Sequence, residues 1–243
     1  MRIDVYATPD SAREKDLKDR MVVVVDVLRA TSTIITGLHN GCREFIPVID
    51  IEEAVNIAKN YERDAFLLGG ERNAQKIEGF HLSNSPREYT RDVVEGRTII
   101  ITTTNGTKAI RKASDAKEVI IAGFMNVNAV CDYIREIGED TAMVCAGTDG
   151  RFSLEDILAV GAIISKLEDE IRLELDDLGM VCRYLYENNE DDLERILRGT
   201  YHYSRLVELG YEKDIEYCLK MNTAPIVPIY QDGVIRNIGN LRD

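Results

Sequence analysis

Short apolar runs alternate with helix-periodic segments along the first two thirds of the chain. Five such runs, several of them rich in β-branched residues, are typical of strands that are buried on both faces; they cover residues 21–25, 65–68, 97–101, 118–122 and 141–145. A polar loop follows each run, and a segment with helical periodicity follows most of the loops. This recurring unit of strand, loop and helix predicts an α/β fold in three layers, with a mostly parallel sheet flanked by helices.

Weaker signals complete the first part of the chain. Residues 1–8 alternate between apolar and polar, which predicts a half-buried or edge strand. Residues 44–49 predict a further strand, in which Pro47 has no N–H for a ladder bond and therefore indicates a sheet edge or a strand end. Two capping boxes, each pairing an N-cap side chain with an acidic N3 residue, predict helix starts at 50–53 and 85–88.

The last third has a different composition. Residues 168–221 are charged and helix-forming, which predicts two or three amphipathic helices broken near 187–189 and Gly210. Two short strands about an Asp-Gly turn follow within 225–235. We therefore expect an α/β core that carries the active-site loops, and a helical portion with terminal strands packed on the same core, divided as 1–167 and 168–243.

Composition and charge narrow the class of protein. The chain has 243 residues, 44% of them hydrophobic, and a net charge of −13 at pH 7. Nucleic acids and membrane surfaces are polyanionic, so neither is expected as a partner. There is no run of about 18 apolar residues and no signal-peptide pattern at the start, which favours a cytoplasmic location. Five scattered cysteines without a C-x-x-C pair indicate buried free thiols.

Polar loops follow four of the apolar runs, at 26–31, 69–73, 102–107 and 146–153. If the sheet is parallel, these loops leave the same edge, where ligands bind in open α/β sheets. Asp26 comes directly after the valine run. A carboxylate there needs a metal ion, an arginine or a solvated opening to offset its burial.

The T-T-T-N-G-T segment at 102–107 has the ingredients of a phosphate-binding loop. Backbone N–H groups at a helix start bind anions, which here makes candidates of Thr103, Thr104, Asn105, Gly106 and Thr107. The segment is no Walker motif. The alternative is simple N-capping by Asn105 or a threonine, and the sequence alone favours that alternative.

Acidic residues of three loops are candidate metal ligands. Glu155 and Asp156 lie in the first turn of a predicted helix, and Glu71 follows the 65–68 strand. Mg²⁺ prefers carboxylate oxygens and keeps several waters, so these residues together with Asp26 suit it. The alternative for Asp156 is a capping box with Ser153.

Arginines and histidines of the loops are further candidates. Arg29, Arg72 and Arg151 either build a local anion site or pair with neighbouring carboxylates. His81 has a loop context and is either an acid–base group or a solvated side chain. His39 and His202 fall in helical segments and receive no role.

Five segments carry most of these candidates, and they are V-D-V-L-R-A-T-S-T at 25–33, G-G-E-R-N at 69–73, G-F-H-L-S-N-S-P at 79–86, T-T-T-N-G-T at 102–107 and A-G-T-D-G-R-F-S-L-E-D at 146–156. Together and in this order they resemble the 2-phosphosulfolactate phosphatase family. Residues 168–221 carry no motif that matches. The resemblance implies a phosphoric monoester hydrolase that uses Mg²⁺ to convert (2R)-2-phospho-3-sulfolactate into 3-sulfolactate and phosphate, a step of coenzyme M biosynthesis.

This interpretation gives each candidate a role. The expected metal ligands are Asp26, Glu71 and Asp156, with Glu155 as an alternative ligand, and the expected catalytic residues are Asp26 and Glu155. Arg29 and the 103–107 amides would hold phosphate, whereas Arg72 and Arg151 would meet sulfonate and carboxylate. Whether Asp26 attacks phosphorus itself or holds a metal ion with an activated water is open.

Two other functions fit the same residues. One is a different metal-dependent phosphatase or phosphotransferase for small acids, and the other is a non-catalytic anion-binding module. In each case the partner is a small anionic molecule. A homodimer is the expected assembly, because it is the commonest one.

Overall fold

Eleven strands and eleven α-helices lie within residues 1–241, the part of the chain that the computed structural model describes. The strands are β1 Arg2–Tyr6, β2 Met21–Val25, β3 Glu44–Pro47, β4 Phe66–Arg72, β5 Gln75–Lys76, β6 Thr98–Thr102, β7 Glu118–Ala122, β8 Thr141–Cys145, β9 Glu174–Leu175, β10 Pro228–Gln231 and β11 Val234–Asn237. The helices are α1 Glu14–Leu17, α2 Ala30–His39, α3 Ile51–Ala58, α4 Arg91–Val94, α5 Gly106–Lys112, α6 Val127–Ile137, α7 Leu154–Glu168, α8 Asp177–Glu187, α9 Leu193–Leu197, α10 Tyr201–Glu208 and α11 Glu212–Cys218.

All eleven strands join one sheet, in the order β5-β4-β6-β3-β11-β10-β7-β2-β8-β1-β9. Parallel pairing joins β4, β6 and β3 in one block. It joins β7, β2, β8, β1 and β9 in a second block. The predicted α/β class, with a mostly parallel sheet flanked by helices, is confirmed.

The terminal hairpin of β10 and β11 lies between the two blocks. Its predicted Asp-Gly turn is confirmed, since Asp232 and Gly233 have φ values of +52° and +85°. The two strands pair antiparallel with each other, β10 pairs antiparallel with β7, and β11 pairs antiparallel with β3. Because these three successive pairings are all antiparallel, the strands of the two blocks run in opposite directions. The expectation that all the loops leave one edge of one parallel sheet was therefore wrong.

Loops of the two blocks nevertheless meet, and sheet twist accounts for it. Neighbouring strands are rotated by about 20–25° on average, and five steps separate β6 from β2. At that average the accumulated rotation would be on the order of 100°, enough to turn the carboxyl ends of the two blocks toward each other. Gly106, after β6, consequently packs against the carboxylate of Asp26, after β2.

Strand β2 lies between two apolar layers, as its valine run predicts. Val23 and Val25 pack with side chains of α6 and α7 on one face of the sheet. Val22 and Val24 pack with side chains of α2 and α5 on the other face. All four valines are fully buried, so the strand that ends at Asp26 is held from both sides.

Of two local expectations, the one for Pro47 is confirmed as a strand end, whereas the one for the capping boxes was correct in position and wrong in detail. Pro47 is the last residue of β3, but β3 lies inside the sheet between β6 and β11, so the proline marks a strand end and not an edge. The capping boxes do not form as predicted. Glu53 accepts the N–H of Ile49, and Glu88 accepts the N–H of Ser83, so each carboxylate reaches past the predicted N-cap residue.

Four helices, α8 to α11, occupy the region where two or three were expected. The additional break falls at Gly199, whose φ of +87° ends the helical path after α9. Leu197, Leu206 and Ile215 belong to the same apolar cluster as Ile163 of α7. The core is therefore continuous across the predicted boundary at residue 167, which itself stays a prediction. Within residues 1–241, no helix has the length and apolar character needed to cross a membrane.

We expect Val23→Ala and Val24→Ala to lower the free energy of unfolding by about 2 kcal/mol each, because each leaves a cavity in a different layer. Val55→Ala is the matched control, since Val55 lies on α3 with 41% of its surface exposed. Its expected change is within about 0.5 kcal/mol. Urea denaturation of the three variants measures this, and a loss at only one of the two buried positions would contradict burial on both faces.

Candidate active site

A small polar cavity of about 40 Å³ lies where the loops after β2, β4, β6 and β8 meet α10. Six of the predicted site residues line it, and they are Asp26, Arg29, Glu71, Thr103, Thr104 and Asn105. Six polar residues that were given no role also line it, and they are Asn73, Asn84, Thr148, Asp149, His202 and Arg205.

Asp26 is fixed by the start of α2. Its N–H donates to Oγ1 of Thr31 at 3.1 Å, and its carboxylate Oδ1 accepts the N–H of Ala30 at 3.2 Å. The second oxygen, Oδ2, faces Gly106 so closely that a Cβ on this glycine would lie 2.5 Å from it. Burial raises the pKa of Asp26 from 3.8 to about 6, against the opposing effects of His202 and the Ala30 N–H. Asp26 is therefore an incompletely compensated buried acid.

Glu71 ties the loop after β4 to the loop after β6. Its Oε1 accepts the N–H of Thr104 at 2.7 Å, and its Oε2 accepts the N–H of Ala74 at 2.7 Å. Thr103 and Thr107 bind each other in turn, through N–H to hydroxyl bonds of 3.2 and 3.0 Å. Three amides of the predicted phosphate loop are thus already used within the protein.

Two amides of that loop have no such acceptor. Within residues 1–241, the N–H groups of Asn105 and Gly106 donate to no protein acceptor. The Asn105 side chain does not cap its own helix, and instead accepts the N–H of Asp149 at 3.3 Å. The segment therefore offers a ligand fewer amides than the sequence suggested.

Asp156 joins the loops after β2 and β8. Its two carboxylate oxygens accept the N–H of Val27 at 2.9 Å and the N–H of Gly147 at 3.1 Å. Burial first, and the nearby carboxylates second, raise the pKa of Asp156 well above its usual range. The residue lies outside the cavity lining. The alternative capping box with Ser153 does not form either, because the Ser153 side chain makes no cap bond.

Glu155 points from α7 to a histidine on α10. Its Oε1 lies 3.0 Å from Nδ1 of His202. The same nitrogen lies 3.1 Å from Oγ1 of Thr148, which in turn lies 2.7 Å from Oγ of Ser153. Glu155 is buried, whereas the His202 side chain keeps 15% of its surface exposed and lines the cavity. The Glu155 carboxylate, which was predicted to be catalytic, therefore contacts a residue of the cavity wall, His202, and does not line the cavity itself.

Arg29 forms a buried ion pair with the C-terminal helices. Its Nη1 donates to Oδ2 of Asp214 at 2.6 Å, and its Nη2 donates to the Ala74 carbonyl at 2.8 Å. The ring of Tyr211 covers the guanidinium at 4.0 Å. Ser85 donates a further bond to Asp214 at 2.8 Å. The charge of Arg29 is therefore largely balanced inside the protein.

The structure does not bring Arg72, Arg151 or His81 into the cavity lining. Arg72 donates to two backbone carbonyls and to Oγ1 of Thr102. Arg151 is exposed and lines an adjoining pocket that shares Thr148 and His202 with the cavity. The Nδ1 atom of His81 accepts the N–H of Leu68 at 2.9 Å, which holds a loop to β4.

Asn84 carries an unsatisfied polar atom in the cavity wall. Its side chain is buried, with 4% exposure, and its Oδ1 has no hydrogen-bond partner among the described residues. Its backbone carbonyl accepts a bond from Thr33 at 2.9 Å, which fixes the residue against α2. A buried amide oxygen without a partner is costly, and this acceptor in the cavity wall is available to a ligand or a water molecule.

Sequence reasoning missed three side chains that form the site, namely His202, Arg205 and Asp214. They come from α10 and α11, in a region where composition indicated only amphipathic helices. Asn84 could have been predicted, because it lies in the 79–86 segment that carried part of the family resemblance.

The expectation of buried free cysteines is confirmed for all five. Burial raises the pKa of Cys145 well above its usual value, which leaves its thiol inert.

Comparison with known proteins shows which family the chain resembles over nearly its whole length. A family described as 2-phosphosulpholactate phosphatase matches residues 6–233. A probable 2-phosphosulfolactate phosphatase of Caldanaerobacter subterraneus subsp. tengcongensis is 50% identical over 236 residues, which are 97% of this chain and 98% of the relative. Proteins with the same description from Clostridium acetobutylicum and Clostridium tetani are 45% and 43% identical, over 97% of this chain and the full length of each relative.

Asp26→Asn should change how stability depends on pH. Because the pKa of Asp26 is raised on folding to about 6, its ionisation costs stability as pH rises from about 4 to above 6. The cost is on the order of 3 kcal/mol at pH 8. We expect the stability of Asp26→Asn relative to wild type to increase by about 1 kcal/mol between pH 5 and pH 8. Urea denaturation at both pH values, without divalent metal, measures it.

Asp232→Asn is the control for this measurement, since Asp232 lies in an exposed turn. It should follow the wild-type pH dependence. An Asp26→Asn variant that also follows the wild-type dependence would show that Asp26 is not a buried, poorly compensated carboxyl group.

Gly106→Ala should destabilise the protein by about 1–3 kcal/mol, as overpacking does. The new Cβ would lie 2.4 Å from the Ala30 Cβ and 2.5 Å from Oδ2 of Asp26. Gly123→Ala, at the end of β7, is the matched control, because its nearest neighbour would lie at an ordinary 3.6 Å. Thermal and urea unfolding compare the two variants. Equal stability of both would mean that α5 does not press on Asp26.

Proposed function

The chain belongs to the 2-phosphosulfolactate phosphatase family, and we propose that it hydrolyses 2-phospho-3-sulfolactate to 3-sulfolactate and phosphate. The observation that carries the proposal is the composition of the cavity. A buried carboxylate, an unsatisfied amide oxygen and two arginines face the same small space. A phosphorylated, sulfonated acid presents the negative charges that such a site needs, and it brings oxygen atoms for a bridging cation.

We assign the substrate's anionic groups mainly to Arg205. Among the described residues its guanidinium contacts only neutral groups, the Tyr201 hydroxyl at 3.3 Å and Oδ1 of Asn73 at 3.5 Å. Arg29 is already balanced by Asp214 and keeps one edge at the cavity. In a protein with a net charge of −13, one uncompensated arginine at the cavity is a strong local attraction for an anion. The free amides of Asn105 and Gly106 would add donors for phosphate.

Mg²⁺ is part of the proposal, and the donor set fits it. Within residues 1–241, no three His, Cys, Asp or Glu side chains are arranged to hold a metal ion by themselves. Mg²⁺ does not require such a cage, because it commonly binds one or two protein oxygens, substrate phosphate and waters. Asp26 and the unsatisfied amide oxygen of Asn84 would hold the ion. When bound, Mg²⁺ would neutralise charge on the phosphoryl oxygens.

The protein's own groups would position the reaction. Asp26, poised at the end of β2, would orient the attacking water through its ionised carboxylate. Glu71 would hold the loop after β6 in place through its bonds to Thr104 and Ala74. Asp156 would fix the loops around Asp26 through Val27 and Gly147. Phosphoryl transfer depends chiefly on such positioning and on charge neutralisation.

A role in coenzyme M biosynthesis, a cytoplasmic location and a homodimeric assembly stay predictions. None of them is needed for the reaction itself. The wider alternative, a metal-dependent phosphatase for another small acid, uses the same site and differs only in the group that Arg205 would meet.

The test is phosphate release from 2-phospho-3-sulfolactate and from 2-phospholactate, which lacks the sulfonate, with Mg²⁺ and with a chelator. We expect turnover of the sulfonated ester only with Mg²⁺, and at least a tenfold lower kcat/KM without the sulfonate. Asp26→Asn should lose at least about 10³-fold in kcat, in line with loss of a central charged group, while Asp232→Asn should keep wild-type activity.

Each outcome separates the alternatives. Equal turnover of both esters would indicate another small-acid phosphatase. Binding of phosphate without hydrolysis of either ester, and without need for Mg²⁺, would indicate an anion-binding module. Near-normal hydrolysis by Asp26→Asn would refute the role given to Asp26.

A further inference from the structure

A histidine and a buried carboxylate face each other at the cavity in an arrangement that the proposed mechanism has not used. His202 lies in the first turn of α10, and Glu155 lies in the first turn of α7. Their contact, Oε1 to Nδ1 at 3.0 Å, joins the α/β core to the C-terminal helices. An ionised carboxylate only accepts hydrogen bonds, so with Glu155 in that form Nδ1 would be the donor of this contact.

The other neighbours of His202 fix its ring in one orientation. Oγ1 of Thr148 approaches Nδ1 at 3.1 Å and is itself held by Oγ of Ser153. Backbone bonds between Thr148 and Arg151, at 2.8 and 3.0 Å in the two directions, close the loop that carries this hydroxyl. With Nδ1 committed to Glu155 and Thr148, the ring nitrogen that remains for a ligand is Nε2.

His202 also lies near Asp26. The ring lines the same cavity as the Asp26 carboxylate, and its positive charge is among the influences that lower the pKa of Asp26. A phosphoryl group held at Asp26 therefore has the imidazole beside it. Hydrolysis of an alkyl phosphate leaves an alkoxide, a poor leaving group that needs a proton as the bond to phosphorus breaks.

We propose that His202 is the general acid of the reaction and that Glu155 is its positioning residue. This inference rests on the proposed function. Glu155, which the sequence predicted as a catalytic residue, acts in it only through His202. The water oxygen forms a new bond to phosphorus, the bond between phosphorus and the ester oxygen breaks, and the electron pair stays on that oxygen. The oxygen takes the proton from Nε2 of the imidazolium and leaves as the alcohol. The phosphate forms as H₂PO₄⁻, returns one proton to Nε2 of the neutral imidazole and leaves as HPO₄²⁻.

Leaving-group dependence tests the acid directly. The substrates are 2-phospho-3-sulfolactate and its 3,3-difluoro analogue, which keeps all three anionic groups but has a more acidic leaving alcohol. We expect His202→Gln to lower kcat by about 10²–10³-fold on the natural ester, and by less than about tenfold on the difluoro ester, with KM changed less than threefold. Glu155→Gln should show the same selectivity with a smaller loss, about tenfold on the natural ester.

His39→Gln is the matched control, because His39 is exposed at the end of α2, and it should leave both rates unchanged. Thermal unfolding of each variant shows whether it is folded, and Glu155→Gln carries the test if His202→Gln is not. Equal losses on the two esters in a folded variant would overturn the role of His202. No phosphate release by the wild-type enzyme from either ester would instead overturn the proposed function.

Discussion

The buried carboxylates at the strand ends are the constraint on which the site depends. Burial of an acid is costly unless donors satisfy it, and Glu71 and Asp156 each take one donor from their own loop and one from another loop. Glu71 takes amides of Ala74 and Thr104, and Asp156 takes amides of Val27 and Gly147. Each acid therefore joins two segments that are distant in sequence. The loops are placed by the need to satisfy these charges, and the cavity is the space that remains between them.

The ion pair of Arg29 and Asp214 extends the same principle to the C-terminal helices. Both side chains are nearly fully buried, at 1% and 2% exposure, and each makes one further hydrogen bond, Arg29 to the Ala74 carbonyl and Asp214 with the Ser85 hydroxyl. A buried pair of this kind adds little net stability compared with apolar packing, but loss of one partner is severe. Its effect is to specify where α11 docks. With α11 in place, α10 brings its histidine and its free arginine to the cavity, so the helical region completes the site.

The sequence could predict what local patterns determine. Apolar runs indicated the strands, and the polar loops after them supplied ten of the fourteen residues that line the cavity. Nothing local indicated that the terminal hairpin enters the sheet between β3 and β7, because strand order depends on pairing between distant segments. The role of His202 could not be predicted for the same reason, since the sequence pattern of an amphipathic helix is the same whether its polar face contacts water or a carboxylate. Arg72 and Arg151 were chosen because they lie in the right loops, but the direction of a side chain within a loop is decided by the carbonyls and hydroxyls around it.

Asp26 differs from the other buried acids, and the difference locates the chemistry. Among the described residues, Asp156 satisfies both of its oxygens with backbone amides, whereas the Asp26 carboxylate has one amide at 3.2 Å and a second oxygen pressed against Gly106. The unsatisfied oxygen of Asn84 lines the same cavity. A backbone amide or a hydroxyl group could have satisfied each of these two oxygen atoms, as backbone amides satisfy the carboxylate of Glu71. Two unrelieved oxygen atoms beside an arginine without a counter-charge are better explained by a ligand that supplies both a cation and an anion. A phosphate ester carried with a divalent ion is such a ligand, and that is why we place the reaction beside these two oxygen atoms.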